Sequence, residues 1–364
     1  MGSTFFDASI FPVLYNMDMK KNQITKLILF VQIFALLLSG CGMSVQQKEK
    51  KQYTKTYLDV FDTVTTIIGM ETSEEEFEKQ AEQIHESLVM YHQLFDIYND
   101  YEGIVNLKTV NDLAGEEPVV VDQKILDLLL LCKEEAELTE GAVNIALESM
   151  LDIWHQARAE AIENPEQAKL PDMYTLEAAM QHTDISQLMI DEQAHTVFFA
   201  DDKMKLNVGA IAKGYAAEKA VEGINGNYLV SVGGNVRVTG PKTEEGDPWI
   251  VGVQDPDRPD SYRYKLCITD GSVVTSGDYQ RYFEVDGERY HHIIDPKTLM
   301  PSAYYRSVTV VCQDSGRADA LSTALFNLPL EEGKELAEKT GVQVLWIPIS
   351  GEPVMTDGLE ELIR

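Results

Sequence analysis

The first half of the chain has the hydrophobic spacing of amphipathic helices. Ser73 precedes apolar residues that recur every three or four positions, and Glu76 three residues later completes the pattern of a capping box. The buried stripe of this helix is predicted at Phe77, Ala81, Ile84, Leu88 and Tyr91. Polar segments at 96–106 and 160–170 predict a loop and a surface connection. A strand is predicted at 57–70, and further helices are predicted after Asp122, near 145–158 and at 171–182.

The second half has the composition of strands. Its apolar runs are rich in β-branched and aromatic residues, and Asp286-Gly287 has the sequence of a tight hairpin turn. One helix, which carries Asp319, interrupts the strands. Helices early and hairpins later predict an α+β fold with a mostly antiparallel, β-rich C-terminal half, the two halves forming one unit. The strands are predicted at 196–199, 228–238, 249–253, 264–268, 282–294, 307–312 and 342–347.

The N-terminal residues have the pattern of a secretory signal. Lys20 and Lys21 precede an apolar run at 27–38, which is shorter than the roughly 20 residues of a membrane-spanning helix. The run ends in Ser39-Gly40-Cys41, which resembles a bacterial lipobox, so a lipid on the Cys41 thiol is expected. An ordinary signal anchor with an incidental cysteine is the alternative. The predicted organisation is an upstream extension and lipoprotein signal at 1–40, a lipidated cysteine and flexible tether at 41–56, and one globular domain at 57–364.

The chain is strongly acidic, with 30 Lys and Arg against 60 Asp and Glu and a formal net charge of −30. Such acidity argues against a nucleic-acid partner, whose phosphates it would repel. It also means that an anionic ligand needs local screening by a metal ion or a lysine. Cys132, Cys267 and Cys312 are far apart and lie among apolar neighbours, which predicts buried free thiols rather than a disulfide framework or a zinc site.

Two segments together predict a pocket for a metal-bound diphosphate. Gly209 and Gly214 flank a turn whose backbone N–H groups open a helix, a place that favours anions. Asp319 and Thr323 stand at i, i+4 on a second helix, so their oxygens share one face and suit a hard cation such as Mg²⁺. Each signal alone has a simpler explanation. Lys213 is then a solvated lysine, Asp319 serves its own helix dipole, and Thr323 bonds to its own turn.

Three further segments are candidates for the pocket wall. Gly233 and Gly234 interrupt a predicted strand, which indicates either a β-bulge or a close backbone approach to a ligand. The segment 275–279 either lines a pocket or only turns the chain. His292 lies three residues before Asp295 and is a candidate general base, although one histidine of a pair is more often a surface group.

Taken in order, these segments resemble the ApbE-type flavin transferases, which are FAD:protein FMN transferases. The resemblance spans roughly 55–348, and although each motif is weak by itself, their order is specific. It implies an ApbE-like fold for the whole domain. The motifs are Phe61-Asp62-Thr63, the GAIAKGY segment at 209–215, Gly233-Gly234-Asn235, Ser276-Gly277-Asp278-Tyr279, His292-Ile293-Ile294-Asp295-Pro296 and the DALSTALF segment at 319–326.

The resemblance also implies roles for individual residues. The backbone carbonyl of Ala210 and the side chains of Asp319 and Thr323 would bind Mg²⁺ or another divalent cation. Lys213 and Asn207 would contact FAD, which is the substrate. The positions that match the flavin and adenosine pocket are Phe61, Tyr98, Ala142, Val143, Asn144 and Ile293.

The implied activity is transfer of FMN from FAD to a Thr or Ser hydroxyl of an acceptor protein, with release of AMP. In this hypothesis His292 is the general base, with Asp295 or Asp278 as its helper. Lys213 adds positive charge at the transition state, and Asp319 holds the metal. With the lipobox, the resemblance implies a lipid-anchored enzyme at the extracytoplasmic face of the cell membrane. Its acceptor is expected to be an exported or membrane-anchored flavoprotein.

Three positions depart from the residues usual in the family. Asn207 stands where Asp is usual, Val143-Asn144-Ile145-Ala146 replaces a common Phe-Asp-Ile-Thr, and Leu299 replaces a Gly. The metal-binding residues are unchanged, so the departures concern the nucleotide contacts. Two other functions fit the same segments. One is a FAD pyrophosphatase, in which water replaces the acceptor hydroxyl, and the other is a non-enzymatic flavin-binding lipoprotein.

Overall fold

A computed structural model describes residues 49–364 of the chain. Residues Lys50–Arg364 form one compact unit. The predicted signal segment, the predicted lipidation site Cys41 and the first part of the predicted tether lie outside the described residues. Between residues 49 and 364, no helix is both long and apolar enough to cross a membrane.

The helices lie mainly in the first half of this unit, as their hydrophobic spacing predicts. They are α1 (Glu74–Phe95), α2 (Leu107–Asp112), α3 (Gln123–Leu138), α4 (Glu148–Glu163), α5 (Met173–Ala179), α6 (Ala212–Ala220), α7 (Ser315–Phe326), α8 (Leu330–Thr340) and α9 (Asp357–Glu360). Ser73 caps α1 by accepting a hydrogen bond from the backbone N of Glu76 at 3.3 Å, and Asp122 caps α3. Both starts confirm the sequence prediction.

The strands lie before α1 and in the second half. They are β1 (Lys51–Val60), β2 (Thr63–Glu71), β3 (Val119–Val120), β4 (Met189–Asp191), β5 (Thr196–Phe198), β6 (Tyr228–Val232), β7 (Asn235–Val238), β8 (Trp249–Asp255), β9 (Arg258–Ile268), β10 (Gly271–Gly277), β11 (Tyr282–Val285), β12 (Glu288–His291), β13 (Tyr305–Cys312), β14 (Gln343–Pro348) and β15 (Val354–Met355). One antiparallel sheet has eight strands in the order β1-β2-β6-β7-β10-β13-β14-β15. The predicted α+β architecture is confirmed.

This eight-stranded sheet is covered on both faces, because neighbouring residues of a strand point to opposite sides. On one face, Val230 and Val274 pack into the large core that the sheet shares with α1, α6 and α7. On the other face, Leu229 and Val273 pack with Trp249 beneath the β8–β9 ribbon. The loops of the candidate site are therefore connected to a sheet that is packed on both faces.

The strand predicted at 57–70 is instead a hairpin of β1 and β2. β1 begins at Lys51, inside the segment assigned to the flexible tether, and pairs with β2 from Lys51 opposite Glu71. Phe61 and Asp62 form a two-residue turn with φ values of 54° and 50°. The sequence hides this turn because the usual Asn and Gly are absent. It hides the start of β1 because the side chains of this edge strand are polar and largely exposed.

The glycine pair at 233–234 is a second two-residue turn rather than a bulge. It joins β6 to β7 with φ values of 58° and 93°, so the strand predicted at 228–238 is also a hairpin. Gly233 does make a close approach, because a Cβ there would lie 2.7 Å from Thr63 Oγ1. The segment 275–279 is mostly the end of β10. The hairpin predicted at Asp286-Gly287 is confirmed between β11 and β12.

The sequence analysis does not predict helices α2 and α8. α2 has six residues, and its start is defined by the capping box of Asn106 and Thr109. α8 buries only Gly333, Leu336 and Ala337, so its apolar face is made largely of small residues. α4 also continues to Glu163, into the segment predicted to be a surface connection.

The cysteines of the described chain are free thiols. Cys132 is buried, and burial raises the pKa of its thiol. Cys267 and Cys312 are half-buried. The prediction of buried thiols therefore holds in full for Cys132 alone.

Candidate active site

Helices α6 and α7 meet at a glycine. A Cβ on Gly214 would lie 2.1 Å from the carbonyl oxygen of Ser315 and 2.6 Å from the Cβ of Asp319, which is closer than real side chains approach. Glycine is therefore required at this position, and its absence of a side chain lets the N-terminus of α6 rest against the side of α7. The contact brings together the two segments from which the diphosphate pocket was predicted.

Asp319 is the buried carboxylate at this contact. Its Oδ2 accepts a hydrogen bond from the backbone N of Gly214 at 2.9 Å. This N–H belongs to the first turn of α6, where backbone donors have no partner in their own helix. The N-terminus of α7 is capped instead by Asp314, which accepts from Arg317 N at 2.7 Å. Asp319 thus serves the dipole of α6, and the explanation that it serves its own helix is wrong.

The charge of Asp319 is incompletely compensated. Burial raises the pKa of this carboxyl, and the nearby Lys213 ammonium and Gly214 N–H offset the effect only in part. The amide of Asn235 lies beside the same carboxyl and is 2% exposed. Its Nδ2 meets strict hydrogen-bond geometry with no atom of residues 49–364, but the amide is close enough to Asp319 to stabilise the charged carboxylate. A buried carboxylate whose charge is compensated only in part fits a site that is completed by a cation.

Thr323 and Ala210 supply the other oxygens that the resemblance assigns to the metal. Thr323 follows Asp319 by one helical turn and is half-buried. Its hydroxyl makes no hydrogen bond within the described chain, whereas the neighbouring Ser322 hydroxyl bonds to Asp319 O at 2.9 Å. The explanation that Thr323 bonds to its own turn is therefore wrong. Ala210 is half-buried in the turn before α6.

These donors fit a hard divalent cation. A carboxylate, a hydroxyl and a backbone carbonyl are oxygen ligands of the kind that Mg²⁺ takes, with positions left for phosphate oxygens. Over residues 49–364 there is no group of three His, Cys, Asp or Glu side chains that could hold a metal ion. The mixed oxygen set of Ala210, Asp319 and Thr323 is the candidate metal site that the resemblance implies.

Lys213 is part of this contact rather than a solvated lysine. Its Nζ donates to the carbonyl of Gly209 at 3.2 Å and lies 3.7 Å from Asp319 Oδ2. The side chain is 26% exposed. It folds back over the glycine turn and places a positive charge beside the N-terminus of α6, where a diphosphate would bind.

The family departure at Asn207 is matched by a buried carboxylate on α4. Asn207 Nδ2 donates to Glu148 Oε2 at 2.6 Å, and its Oδ1 accepts from Gly209 N at 2.8 Å. Burial raises the pKa of Glu148 to about 7, although the hydrogen bond from Asn207 opposes the shift. An Asp at position 207 would place two carboxylates in contact, so an amide suits this chain. Sequence analysis missed Glu148, whose only signal is a lone acid inside the apolar run 145–151.

The two adjacent histidines differ in what their rings can do. The carbonyl of Ser302 accepts from His291 Nε2 at 2.8 Å, and Ile293 N donates to His291 Nδ1 at 3.2 Å, so both ring nitrogens are used. His292 Nδ1 donates to the carbonyl of Arg281 at 3.2 Å, which leaves a lone pair on Nε2. Burial, followed by the charge of Arg281, lowers the pKa of His292 to about 3. The neutral ring has the form that a general base requires.

The aspartates predicted to assist His292 are engaged elsewhere. Asp295 accepts hydrogen bonds within its own turn, from residues 297 and 298. Asp278 accepts from Arg306 Nε at 2.7 Å. In the described part of the chain no hydrogen bond connects either carboxylate to His292, so nearness in sequence does not become a contact.

The residues predicted to line the flavin and adenosine pocket come from separate segments. Phe61 lies half-buried in the β1–β2 turn, and Tyr98 is 61% exposed in the loop after α1. Ala142 and Val143 are buried, as is Ile293. No hydrogen bond within residues 49–364 joins Phe61 or Tyr98 to the α6–α7 contact.

Asn144 has a structural role in its loop. Its Oδ1 accepts from Ala146 N and its Nδ2 donates to the carbonyl of Thr183, each at 2.9 Å. The neighbouring carbonyl of Ala142 accepts from Asn327 Nδ2 at 3.4 Å, and the same Nδ2 bonds to Ile294 O at 3.2 Å. Asn327, the C-cap residue of α7, thereby joins the 142–144 segment to the segment that follows His292.

Comparison with known proteins gives one consistent result. The model of the ApbE family matches residues 60–346. An FAD:protein FMN transferase from Treponema pallidum is 32% identical over 349 residues, which cover 87% of this chain and 90% of that protein. A crystal structure of an ApbE protein from Thermotoga maritima is 30% identical, has a TM-score of 0.75 and is matched over 86% of this chain and 100% of its own.

A more distant structure shares the fold. The flavin transferase ApbE from Vibrio cholerae is 24% identical with a TM-score of 0.72, over 86% of this chain and 99% of its own. The family match covers most of the chain, including the α6–α7 contact and the segment of His292. This chain belongs to the ApbE family.

Proposed function

We propose that this protein transfers FMN from FAD to a Thr or Ser hydroxyl of an acceptor protein and releases AMP. The α6–α7 contact carries the proposal, because Asp319, Lys213 and the first backbone N–H groups of α6 meet there. Such a place suits a cation and a diphosphate together. The name of the Treponema pallidum relative, FAD:protein FMN transferase, supports the same reaction.

The reaction is a substitution at the phosphorus on the FMN side of the diphosphate. The acceptor oxygen forms a bond to this phosphorus, the bond from phosphorus to the AMP oxygen breaks, and AMP leaves with the electron pair. The hydroxyl proton passes to Nε2 of His292. Lys213 stabilises the negative charge on the phosphate oxygens, and the Asn235 amide is a further donor to them.

Ala210, Asp319 and Thr323 would hold Mg²⁺ or another divalent cation. When bound, such an ion neutralises charge on the diphosphate and on the departing AMP. The buried, incompletely compensated carboxylate of Asp319 supports this assignment. Asn207 fixes the glycine turn through Gly209 N, so it orients the carbonyl of Ala210 as well as the first donors of α6.

His292 becomes a stronger base once FAD is bound. In the free protein, burial and the cations around the ring lower its pKa. A bound diphosphate offsets the charge of these cations, which include Arg281 and Lys213, and so favours the protonated ring. The base is thus neutral when the substrates arrive and is able to accept a proton when the bond forms.

The proposed location is the extracytoplasmic face of the cell membrane, with a lipid on Cys41 as the anchor. The lipobox-like residues 39–41 and the preceding apolar run support this proposal. The acceptor would then be an exported or membrane-anchored flavoprotein. Cys41→Ser should move the protein from the membrane fraction to the soluble fraction, and an unchanged membrane fraction would exclude this anchor.

The test of the reaction uses the full chain in detergent with FAD, Mg²⁺ and an acceptor domain from a membrane flavoprotein. Flavin fluorescence on the denatured acceptor, together with released AMP, is expected only when the metal is present. The variant Lys213→Ala should lose both the flavin fluorescence of the acceptor and the release of AMP. AMP and FMN without labelling of any acceptor would favour a FAD pyrophosphatase. Bound but unchanged FAD would favour a flavin carrier.

A further inference from the structure

We propose that Asp96, Tyr101 and His92 form a hydrogen-bond relay that positions the two aromatic residues Tyr98 and Phe61 against the flavin. The inference rests on the proposed function, because it takes these two aromatic residues as flavin contacts. The three residues, called here the Asp96 relay, are positioning residues that act through Tyr98 and Phe61. They join the loop after α1 to the β1–β2 turn.

One end of the relay is a buried carboxylate with four donors. Asp96 is 9% exposed, and its Oδ1 accepts from the backbone N of Tyr98 at 2.7 Å and of Asn99 at 3.1 Å. Its Oδ2 accepts from Asn99 Nδ2 at 2.9 Å and from Tyr101 Oη at 2.7 Å. Burial by itself would raise the pKa of Asp96, but these hydrogen bonds outweigh it and lower the pKa. The charged carboxylate therefore fixes the backbone that carries the exposed Tyr98 ring.

The hydrogen bonds of the relay run in one direction. The backbone N–H of Phe61 only donates, so His92 Nδ1 accepts it at 3.3 Å. The neutral ring then has its proton on Nε2, which donates to Tyr101 Oη at 3.3 Å. Tyr101 in turn donates to Asp96. Three hydrogen bonds thus connect the backbone of Phe61 to the carboxylate that holds Tyr98.

The other end of the relay is a strained turn. Phe61 and Asp62 have φ values of 54° and 50°, in the left-handed region that bulky residues rarely adopt. Such two-residue turns usually carry Asn and Gly. His92 supports Phe61 through the Nδ1 hydrogen bond and through an edge contact between the rings, 5.4 Å apart at 72°. Strain of this kind persists where the surroundings determine it, and it is typical of functional sites.

The relay ends at the backbone of Phe61 and of Tyr98 and does not reach the residues assigned to the chemical step. No hydrogen bond of the described chain joins its members to Lys213, Asp319 or His292. Its loss is therefore expected to weaken FAD binding while the chemical step at saturating FAD is nearly unchanged. Tyr101→Phe is the sharpest variant, because it removes both relay hydrogen bonds of Tyr101 and keeps the ring.

A group of the same three residue types, formed by His85 of α1 with Asp59 and Tyr57 of β1, provides the control. His85 Nε2 lies 3.0 Å from both carboxylate oxygens of Asp59, and its ring stacks on Tyr57 at 3.8 Å. This group has no hydrogen bond to Phe61 or Tyr98 within residues 49–364. Tyr57→Phe should therefore leave FAD affinity unchanged.

The experiment measures Kd for FAD by flavin fluorescence, and kcat and KM for transfer, with the full chain in detergent. Tyr101→Phe and Asp96→Asn should raise Kd and KM for FAD about five- to tenfold and leave kcat and the acceptor KM nearly unchanged. His92→Asn keeps an acceptor for Phe61 N but no longer reaches Tyr101. The double variant with Tyr101→Phe should therefore be no worse than Tyr101→Phe alone.

The possible results separate the relay from the proposed function. Unchanged FAD affinity in both Tyr101→Phe and Asp96→Asn, with wild-type transfer intact, would overturn the relay alone. A fall in kcat with unchanged KM would also overturn it. A wild-type protein that neither binds nor turns over FAD would overturn both. Thermal unfolding of each variant, compared with Tyr57→Phe, shows whether a loss of affinity reflects a general loss of folding.

Discussion

Asp319 is a carboxylate whose burial opposes its charge. Its folded-state pKa is raised, so its contribution to stability is present at low pH and is lost as pH rises through the folded pKa. The ionised form of this carboxyl in the metal-free protein therefore disfavours folding. Such a cost is common at functional sites, where a ligand supplies the missing compensation.

Asp319→Asn should raise the melting temperature of the metal-free protein at neutral pH by roughly 2–4 °C. The amide keeps an oxygen that accepts from Gly214 N and removes the buried charge. The same variant should lose transfer by roughly 10²–10³-fold or more, because the metal is no longer held. Thermal unfolding in EDTA and in Mg²⁺ checks both parts. A variant that Mg²⁺ stabilises as much as the wild type would contradict the metal assignment.

The pH dependence of the reaction should report the low pKa of His292. Because kcat/KM for FAD reflects groups of the free enzyme, its acid limb from this histidine should lie well below the ordinary value of about 6.5. The base is neutral above that limb, so lowering pH from 7.5 to 6 should not by itself protonate it. His292→Ala should abolish the limb and lower the rate roughly 10²–10⁴-fold.

Glu148 provides the control for that profile. Burial raises its pKa to about 7, where an ordinary histidine would titrate, so we expect this carboxyl to give an inflection near neutral pH. Glu148→Gln should remove such an inflection and leave the histidine limb in place. An inflection near neutral pH that survives in Glu148→Gln but disappears in His292→Ala would show that the pKa of His292 is not lowered.

Sequence spacing places side chains together most directly when they belong to one element. Asp319 and Thr323 share a helix face, so their spacing alone places both oxygens together. Glu148 was missed because its partner Asn207 lies in a distant segment, and only folding shows the contact. Asp295 was expected to assist His292 because the two are close in sequence. Its oxygens instead accept hydrogen bonds within its own turn.

The approach of α6 to α7 is the contact between elements that the site depends on most directly. Gly214→Ala should destabilise the protein by about 1–3 kcal/mol, because the added Cβ would meet backbone of α7. It should also reduce transfer, since the helices must separate around Asp319. Chemical denaturation and the transfer assay measure the two effects.

Gly333 is the matched glycine for this test. It lies in α8, and a Cβ there would lie 3.5 Å from the nearest atoms of Trp346, which is ordinary contact. Gly333→Ala should therefore stabilise the protein by about 0.5–1 kcal/mol through helix propensity and leave activity unchanged. Equal effects of alanine at 214 and 333 would show that the α6–α7 approach is not the cause.

The long elements were predictable because one face of each is buried. The stripe of α1 and the alternation of strands such as β6 follow directly from this geometry. The two turns at Phe61-Asp62 and Gly233-Gly234 were read as the interior of longer strands. At Phe61 a tertiary contact with His92 supports the turn, whereas Gly233-Gly234 is itself a pair suited to a two-residue hairpin turn.

For the folded unit as a whole, Lys50–Arg364 contains both halves and every candidate site residue except Cys41. A protein lacking residues 1–48 should therefore unfold in a single cooperative transition and transfer FMN at the rate of the full chain. Urea denaturation followed by two probes, fluorescence and circular dichroism, tests the first part. Two separated transitions, or loss of transfer in a folded protein, would contradict it.

The Phe61-Asp62 turn has a consequence for engineering. Any procedure that selects residues by local backbone preference will replace this pair with Asn-Gly, since the left-handed conformation then carries little penalty. The Asn-Gly variant should be easier to express and should have a higher melting temperature. It should also bind FAD less well, because the aromatic side chain at 61 is lost. Screens of this protein for thermostability will thus tend to select variants that bind FAD less tightly.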